Sequence, residues 1–327
     1  MKVLLAESIH KVGLDLLQTE ARVKIAKDNS EQSIAEEIGD ADALIMRSSP
    51  LPGSVIRQGK RLKVIGKHGG GIDNIDLQAA NEMGIAVINV PDANVLSVGE
   101  HTIAVILSLA KKLREAEGAL REGFFNQQAS LPGMVNKHGF NALELCGKAL
   151  GIVGVGRIGR ITAKIALQGF SMRVYGYDPY IDPRIMKELG VEPVESIDDI
   201  FKATDFVSIH VPLNEETLDL VNERLLNLMK PTAFLINISR GGIVNEKDLY
   251  EVLKSKRIAG AAVDVYGKEP PAPEHPFFEL DNILVTPHMA AMTDGALIRM
   301  AQDIAQATID VLKGVRPKNI VNPEIWT

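Results

Sequence analysis

Arg240, Glu269 and His288 each follow an apolar or β-branched run: "FLINIS" before the arginine, "AAVDVYGK" before the glutamate and "ILVTP" before the histidine. Groups at the C-terminal ends of parallel strands face a ligand crevice. Hydride transfer to a 2-oxo acid requires such a set. An arginine fork pairs with a carboxylate and polarises the adjoining carbonyl. An imidazole donates a proton near neutral pH. A carboxylate beside the imidazole favours its charged form. Each residue alone has a plainer reading: a surface ion pair for Arg240, a solvated loop acid for Glu269 before Pro270 and Pro271, a satisfied polar group for His288. Their order and placement favour the catalytic reading.

A hydride needs a donor, and the segment "GIVGVGRIG" names one. Gly154, Gly156 and Gly159 form G-x-G-x-x-G directly after the run "ALGIVG" and at the start of the helical stretch "RIGRITAKIALQGF". The first glycine allows the tight turn and the second a close approach of backbone to a pyrophosphate. The third lets helix and strand pack, and the helix N-terminus faces the anion. Asp178 ends "RVYGYD", 19 residues beyond Gly159. An acid there binds ribose hydroxyls and repels a 2′-phosphate. Pro179 and Tyr180 follow it, with no arginine to accept such a phosphate, so NAD is expected rather than NADP.

These groups need a scaffold of strand ends. Short apolar runs alternate with helical stretches: Lys2 to Glu7, Ala43 to Ser48, Lys63 to His68 and Ala86 to Val90 in the first part, then Ala149 to Gly154, Arg173 to Asp178, Phe206 to Val211, Phe234 to Ser239, Ala261 to Val265 and Ile283 to His288. The runs are continuous rather than alternating, as in parallel strands covered on both faces. The fold expected is α/β, with two doubly wound parallel-sheet domains. The length of 327 residues suits two cores. Ser97, with Glu100 three positions on, is expected to cap a long helix at the junction. An amphipathic helix from Thr293 to Gly314 is expected near the end, with Pro317 beyond it.

Composition narrows the class. A net charge of −6 lacks the basic footprint of a nucleic-acid binder. The run after Met1 breaks at Glu7, and "TIAVILSLA" falls short of the ~20 residues a bilayer requires, so neither membrane insertion nor export is expected and the location expected is the cytoplasm. Cys146 is the only cysteine, which rules out an intrachain disulfide and a cysteine-based metal site, and it is expected to be a small buried residue.

The set of segments "KHGGGIDNIDL", "NVLSVGEHTIAVILSLAK", "ELCGKALGIVGVGRIG", "HVPLNEET", "INISRGGIVNEKDL", "AAVDVYGKEP" and "TPHMAAMT" resembles the D-isomer-specific 2-hydroxyacid dehydrogenases, the group with phosphoglycerate dehydrogenase and hydroxypyruvate/glyoxylate reductase. The resemblance implies a Rossmann NAD-binding domain, residues 98–293, inserted into a flavodoxin-like substrate domain, residues 1–97 and 294–327. It implies that Arg240 binds substrate and that Glu269 and His288 are the catalytic acid pair. It places Arg157, Ile158, His210, Pro212, Thr217, Ile238 and Ser239 at the cofactor and Asp264 at its carboxamide. Gly69, Gly70 and Gly71 would offer backbone N–H groups to the substrate carboxylate, in a cleft that closes on it. Arg47, Ser48 and Ser49 either meet a second anionic group of the substrate or form a solvated strand end; Lys67 and His68 are equally open. A homodimer, through the Ser97–Leu113 region, is also implied.

Two departures bear on substrate. Ala291 stands in "HMAA" where the family has a glycine, and "LPGMVNKHGFNA" replaces a segment that often carries Trp and basic residues. The methyl of Ala291 is expected to tighten the space near cofactor or substrate. The changed segment puts phosphoglycerate specificity in doubt, and the sequence is expected to stand without the regulatory domain of longer phosphoglycerate dehydrogenases. The alternatives are phosphite or formate oxidation on this scaffold, the latter disfavoured by Glu269 where a glutamine is usual, and an NAD-sensing binding protein.

Overall fold

The computed structural model describes residues 1–126 and 131–326. The chain forms two compact units, Met1–Ser97 with Ala291–Thr327, and Val98–Ala290.

The first unit is built on five parallel strands, β1 (Lys2–Leu5), β2 (Arg22–Ile25), β3 (Ala43–Met46), β4 (Val64–Lys67) and β5 (Ala86–Asn89), in the order β2-β1-β3-β4-β5. Successive side chains point to opposite faces. Val3, Leu5, Ala43, Ile45, Val64 and Ile88 therefore meet Ala296, Met300, Ile304 and Ile309 of the helix Asp294–Leu312. Leu4, Leu44, Met46, Ile65 and Val87 pack on the other side with Ile34, Ile38, Val55 and Ala79. Two buried faces explain the unbroken apolar runs. Thr293 caps the last helix, its hydroxyl accepting from the Ala296 N–H at 3.3 Å.

The second unit holds seven strands, β6 (Ala149–Val153), β7 (Arg173–Tyr177), β8 (Glu192–Pro193), β9 (Phe206–Ile209), β10 (Phe234–Asn237), β11 (Gly260–Val263) and β12 (Ile283–Val285). All pair in parallel, in the order β12-β11-β10-β9-β6-β7-β8. The strand order reverses between β6 and β9, the point where such sheets bind ligands. Phe201, Val207, Leu235, Leu253, Ala261 and Phe277 lie in its main core.

Several expectations need correction. β2 and β8 are absent from the sequence reading; both are edge strands, and β2 is mostly exposed, so neither carries a continuous apolar run. Cys146 is exposed rather than buried, because "ELCGK" is the loop that leads into β6. Ser97 is not a cap. The helix spans Val95–Lys111, and the Ser97 hydroxyl instead meets that of Thr293 at 2.7 Å. Most strands end one or two residues before their apolar runs do, which leaves the chemical groups on the loops. Among the described residues no helix is long and apolar enough to cross a membrane.

Candidate active site

The glycine loop connects β6 to the helix Arg157–Phe170, whose N-cap is Gly156. Gly154 has φ +94°, and a Cβ there would stand 2.8 Å from the carbonyl of His210. A Cβ at Gly156 would meet nothing within 4 Å, so that backbone faces open space. No side chain caps this helix start. A helix start without a side-chain cap, at the positive end of the helix and behind a glycine open to a ligand, fits a pyrophosphate. Arg157 and Ile158 open that helix, and Gly159 is buried against Gly154. Asp178 lies just past β7. Its carboxylate accepts the Val155 and Tyr180 N–H groups, both at 2.9 Å, which anchors the acid beside the loop.

Two further loops line the same strand ends. His210 follows β9, and its ring pairs with Ser208 at 2.9 Å; burial pushes its imidazole down to about 4, so it is neutral. The Thr217 hydroxyl donates to the Pro212 carbonyl at 2.6 Å and closes the 212–217 loop. The Ser239 hydroxyl donates to the Val211 carbonyl, which ties this loop to the one after β10. Ile238 is buried beside it.

Arg240, Glu269 and His288 are brought together at the strand ends of β10, β11 and β12. The Asn237 side chain donates to the Arg240 carbonyl at 3.0 Å and shapes the turn after β10. Gly241 is required there: a Cβ would lie 1.8 Å from the Tyr266 carbonyl oxygen. His288 Nδ1 meets Glu269 Oε2 at 2.7 Å. Burial raises the Glu269 carboxyl, but the His288 hydrogen bond and charge, the Tyr266 N–H and the Arg240 charge outweigh it and hold the group below the ordinary carboxylate value. With Nδ1 turned to a carboxylate, Nε2 is the nitrogen left to exchange a proton with a substrate. The ring and the carboxylate are 43% and 33% exposed, so both reach solvent.

Asp264, fully buried, follows β11. Its oxygens accept the Thr286 hydroxyl at 2.5 Å and the Met289 and Ala290 N–H groups, each at 2.9 Å. Sequence reading gave Tyr266 no role. Its N–H holds Glu269 Oε1 at 3.1 Å and its hydroxyl donates to the Thr286 carbonyl at 3.0 Å. The only sequence signal was its place in "DVYGKEP".

In the first unit the candidate substrate residues lie just past the ends of β3 and β4. Among the described residues the Gly70 and Gly71 N–H groups donate to no protein acceptor. Burial lowers the Arg47 guanidinium and the Glu7 charge partly restores it. Arg47 touches the Met292 sulfur. Ser48 is exposed, whereas Ser49 is buried with an unpartnered hydroxyl. Lys67 is a brace: its ammonium donates to Asn74 Oδ1 at 2.6 Å and to the Arg47 carbonyl, and Asn74 donates to the Ser49 carbonyl at 2.7 Å. His68 is 3% exposed with neither ring nitrogen bonded. Burial, then the charges of Arg47 and Lys67, push its imidazole down to about 4.

Residues 103–290 match the family described as "D-isomer specific 2-hydroxyacid dehydrogenase, NAD binding domain". The chain is 38% identical over 323 residues to the D-3-phosphoglycerate dehydrogenase of Methanocaldococcus jannaschii, covering 98% of this chain and 59% of that protein. It thus spans little more than half the length of the phosphoglycerate dehydrogenases it matches. It is 35% identical to the glyoxylate reductase of Korarchaeum cryptofilum, covering 99% of this chain and 96% of that one. Among solved structures, the D-lactate dehydrogenase of Aquifex aeolicus, complexed with NAD and lactic acid, superposes with a TM-score of 0.86 at 29% identity, over 98% of this chain and 99% of that one. A protein of Thermus thermophilus superposes with a TM-score of 0.88 at 32% identity, over 98% and 100% of the two chains. By the family match over more than half of its length and by the relative it matches end to end, the chain belongs to the D-isomer specific 2-hydroxyacid dehydrogenase family.

Proposed function

We propose that the protein reduces a small 2-oxo acid to the D-2-hydroxy acid with NADH. The observation that carries this is the 2.7 Å pair of His288 Nδ1 with Glu269, under the charge of Arg240 and on the same sheet edge as the glycine loop. The Gly154–Gly159 loop and Asp178 would hold NADH, which when bound would supply the hydride. Arg240 binds the substrate carboxylate and draws electron density onto the carbonyl oxygen. Protonated His288 gives its Nε2 proton to that oxygen, and the imidazole is left neutral. Glu269 orients the ring and stabilises its charged form. In the first unit, the Gly70 and Gly71 N–H groups are proposed as donors to a carboxylate.

A second copy of this chain is the partner we assign. The helix Leu113–Arg121 buries none of its residues, and it leaves Leu113 56% and Leu120 59% exposed. A dimer in light scattering would bear this out and a monomer would end it. We place the protein in the cytoplasm because its single thiol, Cys146, is exposed and unpaired, as reducing compartments keep thiols; cell fractionation checks this.

The decisive assay follows NADH oxidation with glyoxylate, hydroxypyruvate, phosphohydroxypyruvate and sulfonated analogues, with phosphite oxidation run in parallel. Rapid turnover of at least one 2-oxo acid is expected. Tight NADH binding with no turnover would replace the enzyme by an NAD-sensing protein.

A further inference from the structure

His288 adopts φ +51°, a left-handed backbone that costs any residue but glycine and persists only where its surroundings impose it. What imposes it here is traceable. The Asp264 carbonyl accepts the His288 N–H at 2.8 Å. The Asp264 carboxylate accepts the Thr286 hydroxyl at 2.5 Å and the Met289 and Ala290 N–H groups at 2.9 Å. One buried residue thus holds the chain before, at and after the histidine. His101 Nε2 stands 4.0 Å from the same carboxylate, outside hydrogen-bond distance, so its close bonds go to the His288 turn.

Tyr266 acts on the other partner. Its N–H holds Glu269, while its hydroxyl, in the same buried side chain, holds the Thr286 carbonyl. The loop of the carboxylate and the loop of the imidazole therefore share one anchor. Burial, with the charges of Asp264, Glu269 and Glu246, pushes the Tyr266 hydroxyl up to about 12, so it remains a donor at any working pH.

We propose that Asp264 and Tyr266 are positioning residues, which aim the catalytic imidazole by gripping the backbone around His288 and tying it to the loop of Glu269. Neither bonds the imidazole itself. This rests on the reading of His288 as the proton donor. It differs from the role at the carboxamide that resemblance implies for Asp264, and the two make different predictions.

The test uses the full chain with Asp264→Asn and Tyr266→Phe. The first puts an amide N–H₂ where a carboxylate oxygen accepts, and the second removes only a hydroxyl. Four readouts are needed: kcat, KM, the NADH dissociation constant from fluorescence, and the downfield proton resonance of the His288 Nδ1–H bonded to Glu269. Asp264→Asn is expected to lower kcat about 100-fold, the scale of a misaimed catalytic group, and to weaken or erase that resonance while NADH affinity changes little. Tyr266→Phe is expected to lower kcat about tenfold, the scale of one lost hydrogen bond. Unchanged kcat with an intact resonance in Asp264→Asn overturns the proposal. So does a deficit lying wholly in NADH affinity, which returns Asp264 to the cofactor. If Asp264→Asn does not fold, Tyr266→Phe decides by the same readouts. The resonance requires no substrate, so a wild-type protein that turns over no 2-oxo acid would fail the functional reading and still report on the grip.

Discussion

The two units handle their ionisable groups in opposite ways. In the second, Glu269 and His288 pair at 2.7 Å, stay partly exposed and are held from both sides. In the first, Lys67 is spent on bracing two loops, Arg47 is partly desolvated, and His68 is buried with neither ring nitrogen bonded. A group that must exchange a proton during turnover needs a partner for its charged state and access to the reacting atom. A group that recognises a ligand can wait neutral and unpaired, its hydrogen bonds reserved for what arrives. The Glu269–His288 pair has the partner and the access that proton exchange needs, and the buried His68 has neither.

The sharpest way to break that contrast is His288→Ala. It should lower kcat by ~10²–10⁴, the usual worth of general acid–base catalysis, and leave NADH binding nearly intact; retained turnover removes His288 as the acid. Arg240→Lys should follow, with kcat/KM down by about 10², because an ammonium cannot reproduce the bidentate fork. A loss in KM alone, with kcat unchanged, would move Arg240 from the reacting carbonyl to plain binding.

Acid stability gives the next test, on a buried imidazole in each unit. His68 is held down at about 4, against an ordinary value near 6.5. Between those two values the unfolded chain binds a proton that the native state refuses, so stability falls as pH drops from 6.5 to 4. The loss from this one group is on the order of 3 kcal/mol. His210 is depressed to about 4 as well, so the second unit should share the effect. Urea unfolding of His68→Gln across that window should show roughly half the wild-type loss; an unchanged slope would mean that His68 is protonated in the native state.

Glu269→Gln is the smallest expected effect and the finest probe. The wild-type carboxyl is held low, so its contribution to stability is present above the ordinary carboxylate range and lost as pH falls through the folded value. Without the carboxylate, the basic limb of the kcat/KM profile should move to lower pH, and an unmoved limb would deny Glu269 its role as the orienting charge.

Much of the second unit was legible before any coordinates. Gly154, Gly156, Gly159 and Asp178 form a local pattern whose spacing is set by one β–turn–helix unit, and Arg240, Glu269 and His288 each sit just past an apolar run. The first unit was less legible. "KHGGGID" shows a lysine and a histidine side by side, and nothing local tells that one braces a loop while the other is buried bare. The exposure of Cys146 and the internal position of Ser97 in its helix were misjudged for the same reason, because a residue's environment comes from segments far along the chain.

By itself the sequence determined the α/β class and the dinucleotide loop, which follow from periodicity and from spacing within short segments, and it singled out Arg240, Glu269 and His288 as candidates by their places just past apolar runs. Tertiary structure alone decided which atoms meet. Parallel strands bring Asp264, Tyr266, Glu269 and His288 to one sheet edge from two separate loops, and the left-handed turn of His288 exists because a buried carboxylate and a tyrosine hydroxyl hold it there. Hydrogen-bond partners across such distances depend on strand register and burial, which no local pattern encodes.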